Sequence, residues 1–446
     1  MLDLLRLHAM SRPDGSAVRQ RTSDGWRSTT WAELYAAARA AAENAAPYLH
    51  KPDPMALVMD NSAAGIATLV ALLSLPVKVL CTERAHGELP FTPSVTISRY
   101  NEFTSGGGKA EAEEASTAEV LQLTSGSTGE PRIVRHPAGN IIKGARLYRD
   151  LYGYTADDKV LLPVSCAHSF GLVGGLAAAL TSGAELLTLS DFSVKAIREG
   201  LIDGASIVLG SPLLYRMLAA SGPIRAPALR VALSSGGPLD VETAAAAERI
   251  LHRPVLQVYG TTETGLIACR RPADQDIAPE SVGSAVPGVE WRLAQGKLLV
   301  RTSTMLIGYA GPAGTEPGAD GFYDTGDLAE VDEQGRLLLT ARKATFINIG
   351  GRKVNPRAVE RRAEEHPSIS QARVFGLVHE HEEEIHAALV VGDGPRPALT
   401  DVVRFLRAGL APHEIPRHLH FVDRLPTTSL GKVSLPDLLK LISEGA

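Results

Sequence analysis

The run LQLTSGSTGEPRIV (Leu121 to Val134) sets hydroxyl donors and glycines at close spacing behind a strand-like segment. Thr124, Ser125, Ser127 and Thr128 offer hydroxyls, Gly126 and Gly129 let a backbone approach an anion closely, and Arg132 adds a forked cation. Such a set is suited to wrapping phosphate. It lacks the G-x-x-x-x-G-K-[ST] spacing that runs straight into a helix, and Pro131 breaks the local structure. Taken alone, a phosphate loop and a solvated turn both stay open.

Further along, QVYGTTETG holds a second glycine-threonine turn, Gly260–Thr261–Thr262, ending in Glu263. A carboxylate beside hydroxyls suits a magnesium ion already bridged by phosphates, since Mg²⁺ typically takes only one or two protein carboxylates. YDTGDLAEVDEQGRL places Asp327 after a glycine, where a carboxylate could accept two ribose hydroxyls. LPTTSLGKVSLPDLL carries Lys432 near the tip of a glycine-containing loop. Each also reads, singly, as a surface turn. HEHEEEIH (379–386) reads as a solvated turn, with metal binding as the alternative. The Gly-Gly-Gly-Lys of 106–109 reads as a flexible connection. SGSTG is not G-x-S-x-G, and no triad is legible, which disfavours a hydrolase.

The elements that must hold these residues alternate. Strand-like runs (MALVMD, VKVLC, VLLPV, ASIVLG, LRVALSS, PVLQVYG) are separated by helical ones (AGIATLVALLS, GLVGGLAAAL, VETAAAAERIL), which argues an α/β fold with a largely parallel sheet. Residues 33–46 are an alanine-rich surface helix. From about residue 285 short strands and turns form a β-rich subdomain closing the large N-terminal region. A small α+β unit then follows. The expected division is 1–342 and 343–446, consistent with 446 residues exceeding one core.

A net charge of −5 argues against a general nucleic-acid or membrane-surface binder. Cys81, Cys166 and Cys269 lie far apart without CxxC spacing, so neither a zinc site nor a disulfide framework is expected from them. The N-terminus is unlike a signal peptide, and IATLVALLSLPVKVLC is too short to span a bilayer. A reducing, cytoplasmic setting is the simplest expectation.

In order, LTSGSTGEPRIV, QVYGTTETG, YDTGDLAEVDEQGRL, ARKATFINIGGRKVNPRAVE and PTTSLGKVSL resemble the signature segments of the adenylate-forming (ANL) enzymes. These include acyl- and aryl-CoA synthetases, nonribosomal adenylation domains and luciferases. The resemblance implies the ANL fold: αβαβα layers plus a β-rich subdomain, and a small C-terminal domain that rotates between two half-reactions.

It also implies an ATP- and Mg²⁺-dependent activation of a small carboxylic acid, followed by transfer to coenzyme A. By the resemblance, Thr262 binds the α-phosphate, Glu263 holds Mg²⁺, and the Thr124–Arg132 loop covers the β- and γ-phosphates. Asp327 and Arg342 grip the ribose, and Tyr259 stacks on adenine. Ser235, Gly236 and Gly237 line the adenine and the acid; Lys432 bridges the acid carboxylate and α-phosphate. His168, in PVSCAHSFG, lies beside the acid for the second step. After rotation Gly350 and Gly351 leave room for a pantetheine arm and Lys353 touches phosphate. Ser169, Phe170, Ser211, Gly236 and Gly237 are expected pocket walls, favouring a flat aryl acid over a medium acyl chain.

The chain departs from the family pattern in places. Arg132 stands where lysine is usual, Ala341 replaces a glycine, and Ala344 with Thr345 occupies the hinge where acidic or basic residues are usual. Without charged side chains, the hinge lacks the salt-bridging that would tune each rotated state. The chain is also short before Thr124, which implies a trimmed N-terminal subdomain. Two alternatives follow: loading of a carrier protein's phosphopantetheine or an amine, the carrier acting in trans, and a non-catalytic binder of nucleotide or acyl-adenylate.

Overall fold

The computed structural model describes residues 1–49, 54–83, 93, 95–98, 103–105, 118–124, 132–189, 192–274, 281–310, 316–342, 347–349, 352–379, 382–392, 394–427 and 433–444. Among them, two large sheets dominate, one of thirteen strands and one of seven. At the heart of the larger, Lys159–Leu162, Ile207–Gly210, Val231–Ser234 and Val255–Thr261 run parallel as neighbours.

Strand alternation explains how this sheet is covered on both sides. Val160, Leu162, Leu209 and Leu233 join one core, which also takes in Leu57, Val79 and Val120 of the seven-stranded sheet. The intervening residues Leu161, Val208 and Ala232 turn the other way, onto Ile197, Leu214 and Leu251 of the helices Val194–Ile202, Pro212–Ala220 and Val241–Leu251. The result is the layered α/β arrangement expected.

The shared core is filled by helices of different character. Trp31–Ala45 begins in a reciprocal cap, Thr30 with Glu33, and buries Leu34, Ala38, Ala41 and Ala45 along one stripe. It is thus half core, not merely surface. Ala63–Leu72 is apolar all round, and every residue from Gly65 to Leu72 is buried. No helix among the described residues is long and apolar enough to cross a membrane. The glycine-rich run after His168 forms a π-helix, Phe170–Ala177, continuing into Ala178–Ser182. A β-carbon on Gly171 would sit 2.2 Å from the Ser165 carbonyl oxygen, so only glycine allows this turn so close to the preceding loop.

The β-rich part does not stand apart as a separate sheet. It starts at Gly265, earlier than expected, and extends the parallel sheet in antiparallel fashion through Gly265–Cys269, Ser281–Ala285, Leu337–Arg342, Tyr323–Val331, Lys297–Thr302 and Val289–Ala294. The hairpin between Val255–Thr261 and Gly265–Cys269 makes the switch from parallel to antiparallel.

The C-terminal α+β unit is a three-stranded sheet, Ile369–His379, Glu382–Val391 and His418–Val422, with one antiparallel and one parallel pairing. Val374, Ile385, Ala387 and Leu389 pack on the helices Pro356–Glu364 and Leu399–Arg407. The opposite face packs Phe375 and Ala388 on Leu438 of the helix Leu435–Glu444. The reading of 379–386 as a solvated turn is corrected here. Only 380–381, outside the described residues, fall between the strands, and Glu382 onward is paired. Acidic side chains on the rim of a strand tolerate solvent, so charge density disguised the pairing.

Candidate functional site

Open α/β sheets bind ligands where the parallel strands end. Here His168, Ser169 and Phe170 follow Lys159–Leu162, Ser211 follows Ile207–Gly210, and Ser235 to Gly237 follow Val231–Ser234. Gly260 to Glu263 close Val255–Thr261. Four consecutive strand ends thus carry eleven of the candidate residues. Ser235 N–H donates to Gly210 O at 3.2 Å, tying two of these ends together, and Gly236 turns with φ of 91°.

The turn at the end of Val255–Thr261 is held firmly. A β-carbon on Gly260 would lie 2.3 Å from Gly265 O, and Gly265 has φ of 75°, so both glycines are required to close it. Thr264 N–H donates to Thr261 Oγ1 at 3.2 Å, and Thr304 Oγ1 donates to Thr264 O at 2.8 Å. From the seven-stranded sheet, buried His136 on Arg132–Pro137 donates its Nε2–H to Thr262 O at 2.6 Å. Burial holds His136 below the ordinary histidine pKa despite that bond. The main chain of Thr262 and Glu263 is therefore clamped, leaving their side chains half-buried at the strand end.

Glu263 sits against two phenols. Tyr309 Oη lies 3.5 Å from Glu263 Oε1, and Tyr309 and Tyr323 share a hydroxyl contact of 2.8 Å. Burial first, with the Glu263 charge adding to it, raises the pKa of both tyrosines, so they stay neutral hydrogen-bond donors. The charge of Arg132 acts on the same pair in the opposite sense, which brings this basic residue to the Glu263 neighbourhood. Neither tyrosine was legible as a site residue. Tyr309 arrives on Gly308–Ala310, a short edge strand paired with Arg132–Pro137.

Tyr259 donates its hydroxyl to Asp327 Oδ2 at 2.6 Å, and both are buried. The ring packs with Ile267, Val282 and Leu298. Asp327 faces Arg342 across the Tyr323–Val331 and Leu337–Arg342 pair, so the two proposed ribose residues are register partners.

The segment carrying His168 is pinned by residues that sequence reading missed. Asn61, itself at φ of 58°, donates Nδ2–H to Val164 O at 2.9 Å and accepts from Cys166 N–H at 2.8 Å. Gln122, buried on Glu119–Thr124, accepts from Ser169 Oγ at 2.8 Å and donates to Ala167 O at 3.3 Å. His168 Nε2 lies 3.6 Å from Glu83 Oε2, across from the other sheet. Phe170 packs near Tyr148, ring centroids 6.4 Å apart. Ser211 differs from expectation in one respect: it is buried, and its hydroxyl caps the Pro212–Ala220 helix by accepting from Leu214 N–H.

The hydroxyl-rich loop joins two antiparallel strands, Glu119–Thr124 and Arg132–Pro137, with Thr124 opposite Arg132. Ser125, Gly126, Ser127, Thr128 and Gly129 lie outside the described residues, as do Ala344, Gly350, Gly351 and Lys432. Lys353 belongs to the Arg352–Val354 strand, paired with Asn348 of Ile347–Ile349.

Comparison with known proteins agrees with this geometry. The family described as AMP-binding enzyme matches residues 79–309, and its C-terminal domain matches 358–432. The chain is 30% identical over 340 residues to 3-[(3aS,4S,7aS)-7a-methyl-1,5-dioxo-octahydro-1H-inden-4-yl]propanoyl:CoA ligase of Rhodococcus jostii, covering 73% of this chain and 65% of that protein. It is 29% identical to indoleacetate–CoA ligase of Aromatoleum aromaticum, covering 73% and 67%. The chain thus spans about two-thirds of the length of these relatives. In fold it is similar to ATP-bound MatB from Rhodopseudomonas palustris, with a TM-score of 0.80 at 21% identity and 98% of each chain covered.

Proposed function

The chain belongs to the AMP-binding enzyme family, and from that premise we propose that it is an ATP-dependent, AMP-forming acid–CoA ligase. The observation that carries the reading is the clamped Thr262–Glu263 turn, set among three other strand ends and within reach of the Tyr259–Asp327 pair. A nucleoside triphosphate needs a ribose acceptor, phosphate donors and a metal-binding carboxylate in one place, and this arrangement supplies candidates for all three.

In the first step an oxygen of the substrate carboxylate attacks the α-phosphorus of ATP. The bond from that phosphorus to the bridging oxygen breaks, pyrophosphate leaves, and acyl-AMP forms. Two anions must meet, so donors fixed beforehand lower the barrier. Thr262 addresses the α-phosphate from a main chain that His136 holds still. Asp327, with Arg342 as its register partner, takes the ribose hydroxyls, and Tyr259 orients Asp327 while its ring borders the base. The Thr124–Arg132 loop covers the pyrophosphate end. Glu263 offers a carboxylate with neutral phenols beside it, a donor set that fits a magnesium ion. When bound, Mg²⁺ neutralises phosphate charge. Lys432 bridges the carboxylate and α-phosphate oxygens.

In the second step the coenzyme A sulfur attacks the acyl carbon, the acyl–phosphate bond breaks, AMP leaves, and the thiol proton is lost. His168 stands beside the acid for this step, with Glu83 behind its ring. Gly350, Gly351 and Lys353 form the approach for the pantetheine arm once the unit beyond residue 342 has turned. The substrate reading is a flat aryl acid lying between Phe170 and the Ser235–Gly237 turn, with Ser211 as backing. One second reading of the same chemistry replaces coenzyme A by a carrier-protein phosphopantetheine or an amine as acceptor, whereas Ala344 and Thr345 at the hinge motivate the non-catalytic binder of nucleotide or acyl-adenylate.

A pyrophosphate-release screen over aryl, short and medium-chain acids, followed by coenzyme A or holo-carrier as acceptor, tests both readings. Release that depends on an aryl acid, with thioester formed only on adding coenzyme A, is the expected result. ATP binding without acid-dependent release would leave only the binding-protein alternative.

A further inference from the structure

The C-terminal sheet carries a side-chain array unrelated to the strand-end site. Glu384 and His386 lie two residues apart on Glu382–Val391, and His418 and His420 two apart on His418–Val422. These strands pair in parallel with His386 opposite His418, so all four side chains rise from one face. Ligand atoms of Glu384, His386 and His418 all lie within 4.8 Å of one another. His418 Nε2 is 2.8 Å from Glu384 Oε2, and His386 Nδ1 is 3.1 Å from His420 Nε2.

We propose that Glu384, His386 and His418 form a binding site for a divalent zinc-like metal ion, with His420 orienting His386. Two i, i+2 pairs on adjacent strands bring nitrogen and carboxylate donors to one point, and a mixed imidazole–carboxylate set suits Zn²⁺. The site also has supporting partners of the kind metal ligands use. Arg417 pairs with Glu384 Oε1, leaving the Oε2 side toward His418.

Two changes accompany binding. The ion replaces the contact between His418 Nε2 and Glu384 Oε2. The rings of His386 and His418 are stacked, with centroids 4.3 Å apart and planes at 19°, so one must rotate to converge on the metal. His418, with 42% of its side chain accessible, has room to do so. Phe375 stacks on the other side of His386, at 5.6 Å, and keeps that ring in place. The position in the small C-terminal unit makes this a structural or regulatory site, independent of the adenylation residues.

The test uses full-length, tag-free protein stripped with chelator and titrated with Co²⁺ and Zn²⁺. The expected result is one equivalent bound with Kd of about 1 μM or tighter and Co²⁺ absorption in the visible range. His386→Gln and His418→Gln should each weaken binding at least tenfold, while His252→Gln should not. As a readout needing no variant, Zn²⁺ should protect His386 and His418 from diethyl pyrocarbonate, measured by peptide mass spectrometry, and leave His252 unprotected. Absence of binding, or binding unchanged in the two variants with no protection of these histidines, overturns the proposal.

Discussion

Tyr259 and Asp327 are joined by a 2.6 Å hydrogen bond between buried partners that lie 68 residues apart in the chain. The phenol comes from the strand that ends in the Thr262–Glu263 turn, and the carboxylate from the antiparallel extension of the same sheet. In the proposed assignment this bond couples the ribose position to the phosphate position. Removing the donor takes one hydrogen bond from a buried carboxylate, at a cost of about 1 kcal/mol or more. Tyr259→Phe is therefore expected to raise KM for ATP by roughly tenfold while changing KM for the acid little. Initial-rate kinetics with each substrate varied checks this; an effect on acid KM alone would contradict it.

Gln122 provides the complementary case. It holds Ser169 and Ala167, on either side of His168, from the other sheet. Gln122→Ala should loosen the acid pocket and raise KM for the acid several-fold with ATP KM preserved. Equal loss on both substrates would mean that Gln122 acts only through general folding.

His136 is buried and holds the Thr262 carbonyl, so in the proposed site it is a positioning residue. His136→Ala is expected to lower kcat by about 10- to 100-fold, because small misplacements of reacting groups are costly. The accompanying readout is a KM-against-kcat split: ATP KM should shift much less than kcat. A variant with full kcat would remove His136 from the account.

Stability far from the site turns on Asp158 and Arg230. Arg230 donates to both Asp158 oxygens, at 2.9 and 2.7 Å, and to the carbonyls of Tyr152 and Gly153 that end the Ala138–Tyr152 helix. Burial pushes the Asp158 pKa up, but the bonds from Arg230, Ser206 and Thr155 together outweigh it and hold it below the ordinary carboxylate value. A depressed acid stabilises the fold at pH values above its unfolded pKa, and that contribution disappears as pH falls through the lower folded value. Arg230→Ala should cost about 3 kcal/mol by stranding a nearly buried carboxylate. Urea denaturation at neutral pH measures this, and the deficit relative to wild type should shrink below the folded pKa of Asp158. Specific activity of the folded fraction should be unchanged.

The sequence reveals what is local. Strand–helix alternation and the glycine-bounded turns at 260–265 and 326–327 follow from spacing and from residues that only certain backbones accept. Much of the site is non-local. Asn61 and Gln122 look like ordinary strand or loop residues until two sheets meet over one core. Tyr309 and Tyr323 lie fourteen residues apart and touch only because an edge strand crosses to the seven-stranded sheet. The acidic run ending at His386 was misread for the same reason. Local charge suggests solvent, whereas antiparallel pairing with Ile369–His379 takes in 382–386 and parallel pairing sets His386 opposite His418.

The most direct measurement is a single turnover with α-labelled ATP and a preferred acid, first without and then with coenzyme A. The expected result is acid-dependent formation of labelled acyl-AMP with stoichiometric pyrophosphate, followed by release of labelled AMP as the thioester appears. Lys432→Ala should abolish the first phase. Formation of ADP and phosphate, or an unchanged first phase in Lys432→Ala, would contradict the proposed adenylation at this site.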